Sequence, residues 1–157
     1  METGPKVLII EDDSIQARRL EALIYRFYPS STVDKIATES EFRTKLSDIR
    51  ESAYAVALVD MMLRWTDPSP NMEPPPSKIL EEGFFVGGLR CRQELLRKKI
   101  PSIVFTVHQR ESFPQLEDEK VDFVQKGPSF DPILTRLERY LGKPSNAPPQ
   151  PHESTPR

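Results

Sequence analysis

Tyr54-Ala55-Val56-Ala57-Leu58-Val59-Asp60-Met61-Met62-Leu63 is an apolar run broken by one charge, Asp60. A short run of this kind matches a strand buried on both faces, as in the parallel sheets of α/β proteins. In open sheets of that class, ligands bind in the crevice outside the carboxyl ends of the strands, and Asp60 stands at such an end. A carboxylate left there is costly unless a metal, a cation or covalent chemistry compensates it. The partners of Asp60 must come from elsewhere in the chain.

Working outward, Lys6-Val7-Leu8-Ile9-Ile10 reads as a strand ending in the acidic cluster Glu11-Asp12-Asp13. Asp13 or Ser14 caps the next helix, whose apolar stripe is Ile15, Leu20, Leu23, Ile24 and Phe27, and Pro29 closes it. Thr32 to Ala37 alternates weakly, as an edge strand does, and Glu39 to Ser52 carries Phe42, Leu46 and Ile49 at helical spacing. Downstream, Ile79 to Lys99 is helical in pattern, with its firm part from Phe85, because Gly83, Gly87 and Gly88 weaken its start. Pro101 to Val107 is a second buried strand; Glu111 to Glu119, acidic and interrupted by Pro114, is a poor helix. Val121 to Lys126 is the last strand. Asp131 caps the closing helix with Pro132 at its first position, Ile133, Leu134, Leu137 and Leu141 form its stripe, and Gly142 ends it. Five strand-helix pairs without a hairpin signal predict an α/β fold: a doubly wound, five-stranded parallel sheet with helices on both faces.

Bulk properties exclude several functions. A chain of 157 residues suits one domain, and 37% hydrophobic with 29% charged residues suits a soluble globular protein with some disordered sequence. The formal charge of −2 leaves no footprint for nucleic acid. Cys91 is the sole cysteine, so neither a disulfide framework nor a cysteine metal cluster is expected. No stretch has membrane-spanning length and no signal-peptide pattern opens the chain, which predicts a cytoplasmic protein without membrane insertion. Of the sixteen prolines, five lie between Asp67 and Ser77 and five after Gly142. Both stretches should be extended and exposed. They divide the chain into a domain over 1–142, interrupted by a proline-rich insertion at 64–80, and a disordered tail over 143–157.

Glu11 and Asp12, Asp60, Thr106 and Lys126 all fall at carboxyl ends of predicted strands, on one edge of a doubly wound sheet. Crowded carboxylates need a cation, and oxygen ligands with room for water suit Mg²⁺. Asp60 would then be a nucleophile able to take a phosphoryl group as a mixed anhydride. Such transfer needs positioning and charge neutralisation more than acid-base groups; Lys126 supplies charge and Thr106 a hydroxyl. Taken singly, an acidic cluster after a strand is often a helix cap, a strand-end threonine structural and a lysine merely solvated. Their joint placement on four strands is far more specific.

At these residues the chain resembles the receiver domain of two-component response regulators. Val7 to Asp13 matches the first-strand signature, Ala57 to Leu63 the phosphoacceptor segment, and Pro101 to Thr106 with Asp122 to Lys126 the fourth and fifth strands. The resemblance runs from Lys6 to Gly142. It implies the strand order 2-1-3-4-5, Mg²⁺ held by Glu11, Asp12, Asp60 and the main-chain carbonyl of Met62, phosphoryl contacts from Thr106 and Lys126, and acceptor chemistry at Asp60. Asp13 matches a neighbouring acidic position. Thr106 and Phe123 correspond to the family's switch pair, against the plainer reading of Phe123 as core. The function implied is a stand-alone response regulator in a phosphorelay. A histidine kinase or histidine phosphotransfer protein donates the phosphoryl group, and a downstream protein target responds by contact, with no direct nucleic-acid binding. The chain would phosphorylate and dephosphorylate itself rather than turn over an external substrate.

Departures from the family pattern keep a second class of function open. The segment Arg64 to Leu80 is far longer than the usual turn, which resumes at Glu82-Gly83-Phe84, and would lie over the pocket or meet a partner, with Trp65 packed at its root. Val107 replaces a small residue and is expected to narrow access; His108 has no assigned role. Lys126-Gly127-Pro128 displaces the usual proline by one, and Pro114 predicts a stunted helix before the fifth strand. The alternative is a receiver-like protein-interaction module that works without phosphorylation, through this loop and its altered surface. A flavodoxin-like cofactor site is disfavoured, since no glycine-rich fingerprint follows a strand.

Overall fold

The run before Asp60 forms strand β3 (Val56–Val59), buried at every residue, at the centre of a five-stranded sheet in a computed structural model of the chain. The structure describes residues 3–67, 70–71, 74–82, 86–116 and 120–145. Around β3 lie β1 (Lys6–Ile10), β2 (Thr32–Ile36), β4 (Ser102–Thr106) and β5 (Asp122–Gln125), in the order β2-β1-β3-β4-β5. All four pairings are parallel, with Ile10 beside both Ile36 and Val59, Val59 beside Val104, and Thr106 beside Gln125. This register brings the carboxyl ends of the strands level at one edge. The sheet and its order are those expected from the sequence.

Side chains alternate across the sheet as its pleat requires. Val7, Ile9, Val56, Leu58, Ile103 and Phe105 face helices α1 (Ser14–Phe27) and α5 (Asp131–Leu141), meeting Leu20, Ile24, Ile133 and Leu137. Leu8, Ile10, Ala57, Val59 and Val104 face α2 (Glu39–Lys45) and α4 (Gly87–Arg97), meeting Phe42, Cys91 and Leu95. Burial of the Cys91 thiol pushes its pKa up, keeping it a protonated, inert core residue. Between α2 and α4 lies the short α3 (Ser77–Glu82), started by amides of Ile79 and Leu80 on the Pro76 carbonyl.

The local differences from the sequence reading each have a cause. Ile15 is 62% exposed and leaves the stripe of α1, because Ala17, Leu20, Ile24 and Phe27 set the buried face and Ile15 is displaced around the helix from Ala17. The helix expected over Glu39 to Ser52 stops at Lys45 and continues as a tighter turn over Leu46–Asp48. That turn still brings Leu46 and Ile49 to the core, since residues three apart align in it. A helix begins at Ser77, directly after the prolines and inside the stretch expected to be an extended insertion. The start of α4 is observed at Gly87; the expected start at Phe85, with Gly83, lies outside the described residues. Asp131 is the first residue of α5 rather than its cap, which is Phe130. Between β4 and β5 the described residues hold only two single turns, Arg110–Ser112 and Pro114–Leu116, as the proline there foretold. Residues 146–157 of the expected tail lie outside the described residues; before them, Ser145 donates its amide to the Phe27 carbonyl at 2.9 Å. No helix among the described residues is long and apolar enough to cross a membrane.

Candidate functional site

Where β1 and β3 end, the ladder carries on for one more residue: the Glu11 amide donates to the Ile36 carbonyl at 3.0 Å and the Asp60 amide to the Ile10 carbonyl at 2.9 Å. This fixes both residues at the sheet edge, beside Asp12. Carboxylate oxygens of Glu11, Asp12 and Asp60 come within 4.8 Å of one another. Lys126 reaches over from the end of β5, with Nζ 2.6 Å from Glu11 Oε2 and 3.1 Å from Asp60 Oδ2. Its own amide donates to the Thr106 carbonyl at 2.6 Å, so β4 and β5 close on the cluster together. Among the described residues no peptide bond is cis, and the displaced proline of Lys126-Gly127-Pro128 does not keep Lys126 from the carboxylates.

The electrostatics follow from this crowding. Glu11 is 4% exposed, and loss of hydration together with the charge of Asp60 pushes its pKa up to about 7, against the opposing hydrogen bond from Lys126. Burial and the Asp60 charge also raise Asp12, with Arg64 opposing. Desolvation pulls Lys126 down, but its bond to Glu11 and the charges of Asp60 and Glu11 outweigh it, so its pKa ends above the ordinary value. Thr106 is fully buried at the end of β4, and its Oγ1 has no hydrogen-bond partner among the described residues. A buried hydroxyl without a partner costs free energy, and so a ligand oxygen would be welcome there. Three convergent carboxylates at the sheet edge, two of them deeply buried, are a set of hard oxygen donors that fits a divalent cation.

The loop leaving Asp60 is held from both sides by helix starts. Gly88 donates its amide to the Met61 carbonyl and Gly87 to that of Leu63, at 3.2 and 3.0 Å; Glu39 and Ser40 donate to the carbonyls of Arg64 and Trp65, at 3.0 and 2.7 Å. These are the amides that a helix cannot satisfy internally. The approach demands glycine: a Cβ at residue 88 would lie 1.9 Å from the Asp60 carbonyl oxygen. Behind the loop, the fully buried Glu39 carboxylate takes two bonds from Arg90, at 2.8 and 2.7 Å, and one from Arg43 at 3.3 Å.

Among the residues singled out from sequence, Glu11, Asp12, Asp60 and Lys126 are brought together, and Thr106 is joined to Lys126 through the main chain. Met62 lies next along the loop and donates its amide to Asp60 Oδ1 at 3.1 Å. Asp13 turns away to cap α1, accepting from the amides of Ile15 and Gln16. Phe123 is half-buried and packs on Phe113, ring centres 6.4 Å apart. Val107 is 60% exposed, and His108 sets its ring edge-on to Phe113. Trp65 is half-buried at the root of the insertion. Sequence reasoning passed over the Glu39–Arg90 pair and the contact of Arg64 with Asp12, which join residues far apart in the chain. The Gly87-Gly88 pair in a helical stretch was the one available signal of close approach. A cleft of about 290 Å³ opens beside Glu11 and Asp12 toward Lys35 and Glu41. A larger one of about 560 Å³, lined by Arg92, Arg136, Arg139 and Asp122, lies at the opposite ends of β4 and β5, away from the carboxylates.

No protein-family model matches the chain, and no curated protein sequence does. Solved structures do. The response-regulator receiver domain of PhyR from Erythrobacter litoralis is 16% identical, with a TM-score of 0.63 over 92% of this chain and 95% of its own. The receiver domain of a sensor histidine kinase from Pseudomonas aeruginosa, solved with magnesium coordinated in its active-site cleft, is 18% identical with a TM-score of 0.59, covering 89% of this chain and 99% of its own. The response regulator TrrA from Thermotoga maritima, in complex with Mg²⁺ and BeF, is 16% identical with a TM-score of 0.59, covering 87% of this chain and 99% of its own. The fold of this chain is therefore that of the response-regulator receiver domains.

Proposed function

We propose that the chain is a phosphoacceptor of the response-regulator kind, taking a phosphoryl group on Asp60. The observation that carries this reading is the convergence of the Glu11, Asp12 and Asp60 carboxylates under the Lys126 ammonium, at the edge where parallel sheets bind ligands. Two neighbours in fold, from Pseudomonas aeruginosa and Thermotoga maritima, were solved with magnesium, which supports the same ion here. Glu11, Asp12 and Asp60 would hold it, with the main-chain carbonyl of Met62. When bound, it supplies positive charge to the oxygens of the transferring group.

The chain's own residues do the rest. A carboxylate oxygen of Asp60 bonds to phosphorus as the donor's nitrogen-phosphorus bond breaks, and that bond's electron pair returns to the donor imidazole. Lys126, already on Asp60 Oδ2, neutralises charge building on the phosphoryl oxygens. The orphan hydroxyl of Thr106 gains an oxygen to bond. Movement of Thr106 toward it would free space for Phe123, making the pair the switch. In this reading the receiver unit spans 1–142 with an insertion at 64–80. Its donor is a phospho-histidine on a histidine kinase or phosphotransfer protein, and its output is contact with another protein.

Incubation with a small phosphoryl donor and Mg²⁺, followed by intact mass measurement, tests it. Wild type should gain one phosphoryl group and Asp60→Asn none. A wild type that gains nothing, or an Asp60→Asn variant that gains as much, overturns the reading.

A further inference from the structure

Arg64 opens the insertion, and its main chain and side chain are held very differently. The main chain is fixed, because the carbonyls of Arg64 and Trp65 accept from the start of α2. The guanidinium instead straddles two carboxylates. Nε lies 3.8 Å from Asp12 Oδ2 and 3.3 Å from Asp67 Oδ1, and although that atom is buried it makes no hydrogen bond to either. Nη2 donates to the main-chain oxygen of Asp12 at 3.3 Å. Asp12 belongs to the acidic cluster; Asp67 belongs to the insertion and is largely exposed. Lys126 serves Glu11 and Asp60, which leaves Asp12 to Arg64.

From this placement we infer that Arg64 is a tethered counter-cation, competing with a divalent cation for Asp12 and passing to Asp67 when displaced. The inference rests on the divalent-cation reading of the cluster. A guanidinium fixed at its root has a high local concentration at Asp12, yet a half-exposed pair of this length is weak. A divalent ion can therefore displace it, at a modest loss of apparent affinity. Asp67 gives the freed guanidinium a second partner on the proline-rich segment. Occupancy of the carboxylate cluster is in this way transmitted to the insertion, where the chain's only tryptophan, Trp65, is the neighbouring residue.

The test is Mg²⁺ titration of the full chain, by calorimetry and by Trp65 fluorescence. Arg64→Gln should bind Mg²⁺ about three- to tenfold more tightly than wild type. Arg64→Lys, which keeps the charge, should stay closer to wild type, and Asp67→Asn should bind about twofold more weakly because the displaced arginine loses its alternative. The Mg²⁺-dependent change in Trp65 fluorescence should shrink in Arg64→Gln. Unchanged or weaker binding by Arg64→Gln, or a shift of Asp67→Asn toward tighter binding, overturns the inference. Asp12→Asn separates the two levels. If it binds as tightly as wild type, or wild type does not bind, the cation reading falls and takes the inference with it. If it weakens binding while Arg64→Gln changes nothing, only the inference falls.

Discussion

Glu11 carries the charge that the fold accommodates least well. Its carboxyl is buried beside Asp60, and its pKa is pushed up to about 7 from an ordinary 4.5. Between those values the folded chain holds a proton that the unfolded chain has released, so this group's contribution to stability falls as pH rises from 4.5 to about 7 and then levels. The loss is on the order of 3 kcal/mol. Thermal melts of the metal-free protein in steps from about pH 5 to 8 should show the midpoint declining across that window, and Glu11→Gln should flatten most of the decline. At this scale the sequence was informative about Glu11, Asp60 and Lys126, because each follows an apolar run and such a run fixes where a strand ends. It was silent on Arg64, whose meaning depends on the distance to Asp12 across two loops.

Pairs of elements are where the sequence reading ran out. The apolar spacing of α2 and α4 announces which face each helix buries, and the burial of Phe42 and Leu95 agrees. Nothing in that spacing announces that Glu39 at the start of α2 and Arg90 in α4 meet inside, with side chains 0% and 6% exposed. Long-range ion pairs have no period. Removing one member leaves the other charge buried without its partner, at a cost of about 3–5 kcal/mol, whereas replacing both with apolar residues of similar volume costs far less. Arg90→Met should therefore lower the urea unfolding free energy by about that amount, and Glu39→Met combined with Arg90→Met should recover much of it. An additive double variant would show that the pair contributes nothing beyond its separate side chains.

Across the whole molecule, the parallel sheet and its two covered faces follow from five apolar runs and the helices between them, while the strand order was implied by the resemblance to receiver domains, which is why the architecture was readable without coordinates. The grip on the loop after Asp60 was not, since it is made by main-chain groups of the helix starts. Four amides at the starts of α2 and α4 close on that loop, so exchange of those hydrogens with solvent requires the helix starts to part from the sheet. Glu39, Ser40, Gly87 and Gly88 should accordingly be among the slowest amides outside the strands to take up deuterium, and faster exchange than in the first turn of α1 would contradict this. The mechanical consequence, on the proposed function, concerns where a signal would leave. A charge change at Asp60 would work against the α2 and α4 flank, where four main-chain hydrogen bonds hold the loop. The opposite flank joins β4 to β5 with single turns over its described residues. On the proposed function, strain generated by a phosphoryl group on Asp60 would thereby be directed into Thr106, Phe113 and Phe123, and the abutment, by holding still, would set the direction of the response.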